Sequence, residues 1–222
     1  MHKLDRSAVV PPLCLSEYDY KCHDWDDLGP NCRNQIKEAL ACLQGNPAAP
    51  EDRIRCAYCE GVIFDGGHTE HFRRKNKSHY PELTFEWSNL FRSCDAMMHC
   101  GHHKDRRDAA IYDPDKLIKP DELDPEHFLY FHSSGEVRPR EGLSDHDREL
   151  AQETIRVFGL NQGSLQGKRR KAVGEIKRRY LKDLQELASW SDQDRGFYMQ
   201  VELEVMRWHP YATTIKHFLI AA

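Results

Sequence analysis

No stretch of about 18 or more consecutive apolar residues occurs in this sequence, so no membrane-spanning helix is expected. Met1 to Leu15 lack a basic start, an apolar stretch and a small-residue cleavage site. A cytoplasmic protein is therefore expected. Internal repeats and low-complexity tracts are also missing, which argues against a solenoid or a disordered linker. Nor is there an excess of positive charge: 32 Lys and Arg face 36 Asp and Glu, a formal net charge of −4. That balance argues against a chain coated in nucleic acid but leaves room for a local basic surface. What is present is an ordinary globular composition, 39% hydrophobic and 31% charged over 222 residues. It suffices for one medium domain, or a small domain with a helical extension.

Cysteine carries the strongest signal. Of the eight cysteines, Cys14, Cys22, Cys32 and Cys42 form no tight pair and are expected to be free thiols. Cys56-Ala-Tyr-Cys59 and Cys94-x5-Cys100 differ. In a reducing compartment tight pairs point to metal rather than disulfide. Zinc takes four tetrahedral ligands, and a CxxC turn puts two thiolates on one side of an ion. A structural zinc on Cys56, Cys59, Cys94 and Cys100 is expected, pinning a hairpin too short to build its own core. Unliganded thiols and a redox CxxC are the alternatives, and His99, His102 or His103 could replace one thiolate. His99 by itself reads as exposed.

The chain divides into three regions. Residues 1–52 hold a loop, an acidic patch from Asp24 to Asp27, a helix over about Asn31 to Gln44 with Asn31 as N-cap and Gly45 as stop, and a linker from Asn46 to Asp52. Residues 53–142 contain a short strand over Gly61 to Phe64, a turn at Asp65-Gly66-Gly67 and a returning strand over His68 to Phe72. A helix over about His99 to Ala110 follows, then a hairpin of His127 to His132 with Val137 to Arg140. Residues 143–222 read as helices: one begun by Ser144 and Asp147 as a weak capping box, then about Ser164 to Trp190, Arg195 to Trp208, and a short one after Pro210.

Between the cysteine corners lie Glu70-His71, Asn89 and His102-His103-Lys104. Phosphodiester hydrolysis needs a base to take a proton from water and a divalent ion to neutralise charge on the phosphate. Histidine titrates near neutrality and suits the first task. A carboxylate with an imidazole can hold a magnesium- or manganese-like ion. His68 reads chiefly as a surface or zinc-adjacent histidine. Arg73, Arg74, Lys75 and Lys77 follow His71 directly and are candidates for contact with substrate phosphate.

This order of motifs, Cys-x2-Cys, Glu-His, Asn-Leu, Cys-x5-Cys and a helical Lys, resembles the HNH nuclease motif. The resemblance implies an α+β fold with a zinc-braced ββα-metal core, an N-terminal helix and a C-terminal helical region. It implies His71 as general base, Glu70 as a ligand of a Mg2+ or Mn2+ ion, and Asn89 as a brace for the loop that orients the base. His102 or His103 would be the second metal ligand, with Lys104 near phosphate. Two positions depart from the pattern: Gly101 stands where the family has His or Asn, and Arg74 where it often has Pro. The longer wording, including Cys-Ala-Tyr-Cys-Glu, Glu-His-Phe-Arg, Trp87-x-Asn89-Leu90 and Cys-Gly-His-His-Lys-Asp, is similar to the PtuB family of Septu and retron-type anti-phage systems. That similarity implies a nucleic-acid substrate (DNA or RNA), a PtuA-type ATPase partner and, in retrons, a reverse transcriptase with its RNA–DNA hybrid.

Lys168, Arg169, Arg170, Lys171, Lys177, Arg178, Arg179 and Lys182 crowd one helix. They form either a phosphate-tracking face or a solvated, partner-facing surface. The acidic patch could mask such a surface at rest. The rival to the nuclease reading is a non-catalytic zinc-ribbon binding module, which would need the cysteines and cations but neither Glu70 nor His71.

Overall fold

A computed structural model describes residues 1–46, 54–63, 66–187 and 189–221, the side chains of 180–187 and 221 excepted. The linker expected over Asn46 to Asp52 lies almost wholly outside the described residues, as do Phe64 and Asp65 of the expected strand and turn.

The N-terminal segment winds through 3-10 turns at Arg6–Ala8, Leu13–Glu17 and Trp25–Asp27 before helix α1, Pro30–Gln44. Pro30 takes the first helical position, where its missing N–H costs nothing, and Gly29 rather than Asn31 is the N-cap. Ile36, Leu40 and Leu43 bury one face of α1. The first turn of α1 lies against the turn at Leu13–Glu17, and there Cys14 and Cys32 form a disulfide. These two cysteines are thus not the free thiols the sequence suggests: the chain folds back between them. Cys22 and Cys42 are free and exposed.

The central region is built on an antiparallel pair, β1 (His68–His71) and β2 (Leu90–Ser93), followed by α2 (Cys100–Asp105). The returning strand therefore pairs forward to β2; among the described residues of the expected first strand, 61–63, Val62 bridges to Arg55. The α2 helix is shorter than the His99 to Ala110 expectation, because Arg106 turns extended at ψ 152°. A one-turn helix α3 (Pro125–Phe128) leads into a hairpin of β3 (Leu129–Phe131) and β4 (Val137–Pro139), where the sequence places one. Among the described residues four helices follow: α4 (Asp145–Val157), α5 (Gly163–Leu187), α6 (Asp192–Met206) and α7 (Ala212–Ala221). Ser144 caps α4 by accepting from the Asp147 N–H.

One apolar core runs from Met1 and Leu4 through α1, Tyr58, Phe72, Phe91 and Phe131 to Phe158 and Leu165. Tyr58 of the CxxC turn stacks on Phe158, ring centroids 4.1 Å apart, which fastens the cysteine turn to the end of α4. A smaller core of Ala172, Ile176, Met206, Ile215 and Leu219 holds α5, α6 and α7 together. Gln44 ties α1 to the centre: its buried amide donates to the Arg55 and Arg92 carbonyls and accepts from the Arg92 N–H. Both ends of the amide are satisfied, as a buried polar group requires. Among the described residues no helix is long and apolar enough to cross a membrane.

Candidate active site and metal centres

The four sulfurs of Cys56, Cys59, Cys94 and Cys100 lie within 4.8 Å of one another. Four zinc–sulfur bonds of about 2.3 Å at tetrahedral angles put the sulfurs about 3.8 Å apart. The Cys59–Cys94 separation is 3.9 Å, so the donor set fits a structural zinc. Cys56 donates its backbone N–H to the Gly61 carbonyl, and Glu60 between them adopts φ 63°, closing the knuckle. Tyr211 and Thr213 clamp Glu60 from the C-terminal side. His99 is buried, not exposed, with Nδ1 3.1 Å from the Cys100 sulfur. It sits against the knuckle, and the four-cysteine set is complete without it.

The β1–β2 register sets the second group of side chains. Residues 68 and 70 share one face of the strand and His71 takes the other. Glu70, buried, meets the Lys104 ammonium at 2.8 Å through one oxygen and His68 Nε2 at 3.2 Å through the other. Burial works against its charge, yet Lys104 and His68 hold its pKa at about 2. Lys104 is itself buried and also donates to the His71 carbonyl and Asp105. Lys104, the expected phosphate contact, is thus enclosed by two carboxylates.

His71 is buried on the other face, with Nε2 3.0 Å from the Thr84 carbonyl. A carbonyl only accepts, so Nε2 carries the proton and Nδ1 keeps its lone pair. Burial disfavours the imidazolium and brings the pKa down to about 4, despite the bond to Thr84. Trp25 stands edge-on to the ring at 4.5 Å. Asn89 accepts from the Arg73 N–H and donates to the Arg73 and Leu83 carbonyls, so one side chain clips both ends of the loop between His71 and Thr84. Arg73 pairs with Asp115, and Arg74 with Asp105. His71, Glu70, Thr69, Arg74, Lys75, Arg106 and Arg107 line an open cavity of about 480 Å³.

No family model matches the chain. A protein of Vibrio cholerae serotype O1 biovar El Tor, named "Retron Vc95 putative HNH endonuclease", is 26% identical over 180 residues, 78% of each chain. The chain is similar to an HNH protein of a retron over most of its length.

The two candidate helix histidines part company. His103 Nδ1 lies 3.0 Å from the Val157 carbonyl, and its ring lines a different cavity beside Gly159. His102 instead stacks on His68, ring centroids 4.0 Å apart, and its Nε2 is 3.8 Å from Asp95. Asp95, Arg106, Arg107 and Thr84 are the residues that reading the sequence misses. Arg106 and Arg107 carry a signal, two cations just past the expected ligands. Thr84 contributes a backbone carbonyl, which no side-chain pattern marks.

On α5 the basic run is split. Arg169 is fully buried and donates to the Leu160 and Gly135 carbonyls. Lys168, Arg170, Lys171, Lys177 and Arg178 are exposed, Arg179 pairs with Glu202, and Lys182 lies outside the described side chains. In the acidic patch, Asp24 and Asp27 cap their own turn and Asp26 faces Arg33, so the patch serves local structure.

Proposed function

We propose that this chain is a metal-dependent HNH endonuclease that hydrolyses nucleic-acid phosphodiester bonds on a zinc-braced ββα-metal core. The observation that carries the reading is the setting of His71: an uncharged imidazole whose Nδ1 keeps its lone pair, held through Nε2 by a backbone carbonyl, on a cavity rimmed by Arg74, Lys75, Arg106 and Arg107. Such a ring is ready to take a proton from water, and the Thr84 carbonyl then stabilises the imidazolium through Nε2–H. Asn89 keeps the carbonyl in place by pinning the loop that carries it. The rim cations draw in and orient a phosphate. Glu70, with His102 rather than His103, whose ring lines the other cavity, would hold a Mg2+ or Mn2+ ion, whose charge would neutralise the phosphate and the leaving oxygen. A positioned base adds about 10²–10⁴-fold to the rate.

On the same reading the protein is a PtuB-like effector of anti-phage defence in the cytoplasm. It would act with a PtuA-type ATPase and, in a retron, a reverse transcriptase with its RNA–DNA hybrid. The name of the Vibrio relative supports the retron setting. Functionally, residues 1–52 would support the base, 53–142 carry the chemistry and 143–222 meet partners. One observation favours a zinc-ribbon binding module instead: Glu70 is already neutralised by Lys104.

Cleavage of plasmid, single-stranded DNA and tRNA with Mg2+ or Mn2+, wild type beside His71→Ala, separates the two readings. Cleavage by the wild type alone supports the nuclease. No cleavage by either, with the ATPase partner present, moves the choice to the binding module.

A further inference from the structure

We propose that His68, Asp95 and His102 form a divalent-ion site that takes first-row transition metals, Mn2+ or Co2+, in preference to Mg2+. The proposal deepens the nuclease reading, since it names the donors and the class of ion beside Glu70. Its support lies in three segments that converge on one point. His68 opens β1, Asp95 follows the end of β2, and His102 lies in α2. Asp95 accepts from the Gly67 N–H through Oδ2, which aims Oδ1 at the histidines: 3.3 Å to His68 Nδ1 and 3.8 Å to His102 Nε2. The three donor atoms lie within 4.8 Å of one another. Donors on a common ion with bonds of about 2.1 Å stand about 3.0–3.4 Å apart, so little adjustment is needed.

Gly101 explains why the donors are these. A Cβ at residue 101 would overlap the Glu70 carboxylate and come within 2.9 Å of His68 Nε2. A side chain there would have to push the Glu70 carboxylate and the His68 ring aside, and glycine itself offers no donor, so the ligand that the HNH resemblance expects directly after the last cysteine is not supplied from 101. The bare backbone lets His68 fold in against Glu70, and His102, one residue on, meets His68 and Asp95. Glu70 has its charge balanced by Lys104, whereas the two imidazoles face Asp95 and the far oxygen of Glu70. Asp95 is 56% exposed and His102 36%, so the point is open to water and to a phosphate oxygen. Two imidazoles with one carboxylate suit transition ions, while Mg2+ prefers oxygen and sheds water reluctantly.

The test is a binding titration of the full chain with its cysteine site already filled by zinc. Bound Mn2+ is read by electron paramagnetic resonance, and Co2+ and Mg2+ are added as competitors. One Mn2+ equivalent should bind, Mg2+ should bind at least about tenfold more weakly, and Asp95→Asn and His68→Gln should each weaken Mn2+ by about tenfold or more. Circular dichroism checks that both variants are folded. In the wild type, Mn2+ should broaden the imidazole resonances of His68 and His102 and spare that of His146. Wild-type affinity in folded Asp95→Asn, or Mg2+ binding as tightly as Mn2+, would overturn the site. Because cleavage is not the readout, a chain that binds Mn2+ through Asp95 yet cuts nothing would fail only the nuclease reading.

Discussion

The two donor clusters of the β1–β2 region contrast in every physical respect. Cys56, Cys59 and Cys100 are at most 2% exposed, packed beneath Tyr58 and Phe158, and their sulfurs join two distant segments of chain. His68, Asp95 and His102 are partly open, polar, and bonded mainly to one another. Without a cation these buried thiols would be held protonated and the two segments would lose their cross-link, so the fold around the first cluster would depend on a bound zinc. The second cluster keeps water and hydrogen bonds when empty. On the proposed reading one cluster would build the hairpin, and the other, with Glu70 and His71, would give it chemistry.

That contrast is broken most easily at the cysteines. Structural zinc is worth about 10 kcal/mol or more in small zinc domains. Cys59→Ser, or a strong zinc chelator, should abolish the cooperative thermal transition of the central region, while His102→Asn should leave it in place. Calorimetry with zinc analysis checks both.

The next largest effect should come from Lys104→Met. It leaves Glu70 as a buried carboxylate without its cation, and removing one partner of such a pair costs about 3–5 kcal/mol. Glu70→Gln in the same chain should recover most of that loss, measured by denaturant unfolding.

Acid should act on the same side chains. Glu70 is depressed from 4.5 to about 2, so its stabilisation is complete above pH 4.5 and is lost as pH falls toward 2. His71 is depressed from 6.5 to about 4, so the fold favours its neutral form; that contribution is complete above pH 6.5 and is lost between 6.5 and 4. The melting temperature of zinc-loaded protein should therefore fall in two acid steps. His71→Ala should remove the upper one, and Glu70→Gln should shrink the lower, to which Glu126, also held at about 2, contributes.

The smallest change expected is that of Asn89→Ala. Loss of its bonds to Arg73 and Leu83 should cost about 1–3 kcal/mol and loosen the loop after His71, seen as faster amide exchange over residues 74–83.

Much of this is legible in the amino-acid sequence. Tight cysteine spacing, the Ser144 cap and the Val137 hairpin are local signals, and local signals survive folding. Asn89 and His71 are reachable through the motif they share. The partner of β1 is not: Gly66-Gly67 suggests a nearby hairpin, whereas the strand pairs with residues some twenty positions further on. The same long-range register creates the Asp95 site, since it sets His68 opposite Ser93 and so beside the residues that follow. Lys104 and Arg169 read as surface cations in sequence, because composition does not reveal that a helix turns one charge inward to meet a carboxylate or a row of carbonyls. The Cys14–Cys32 bond depends in the same way on a turn and a helix folding back on each other.

The central claim, that His71 is the base, is tested most directly by single-turnover cleavage with wild type and His71→Ala, each with and without added imidazole. A loss of about 10²–10⁴-fold is expected in the variant, with cleavage partly restored as imidazole concentration rises. Cleavage by His71→Ala at the wild-type rate, or a loss that imidazole does not touch, would contradict it.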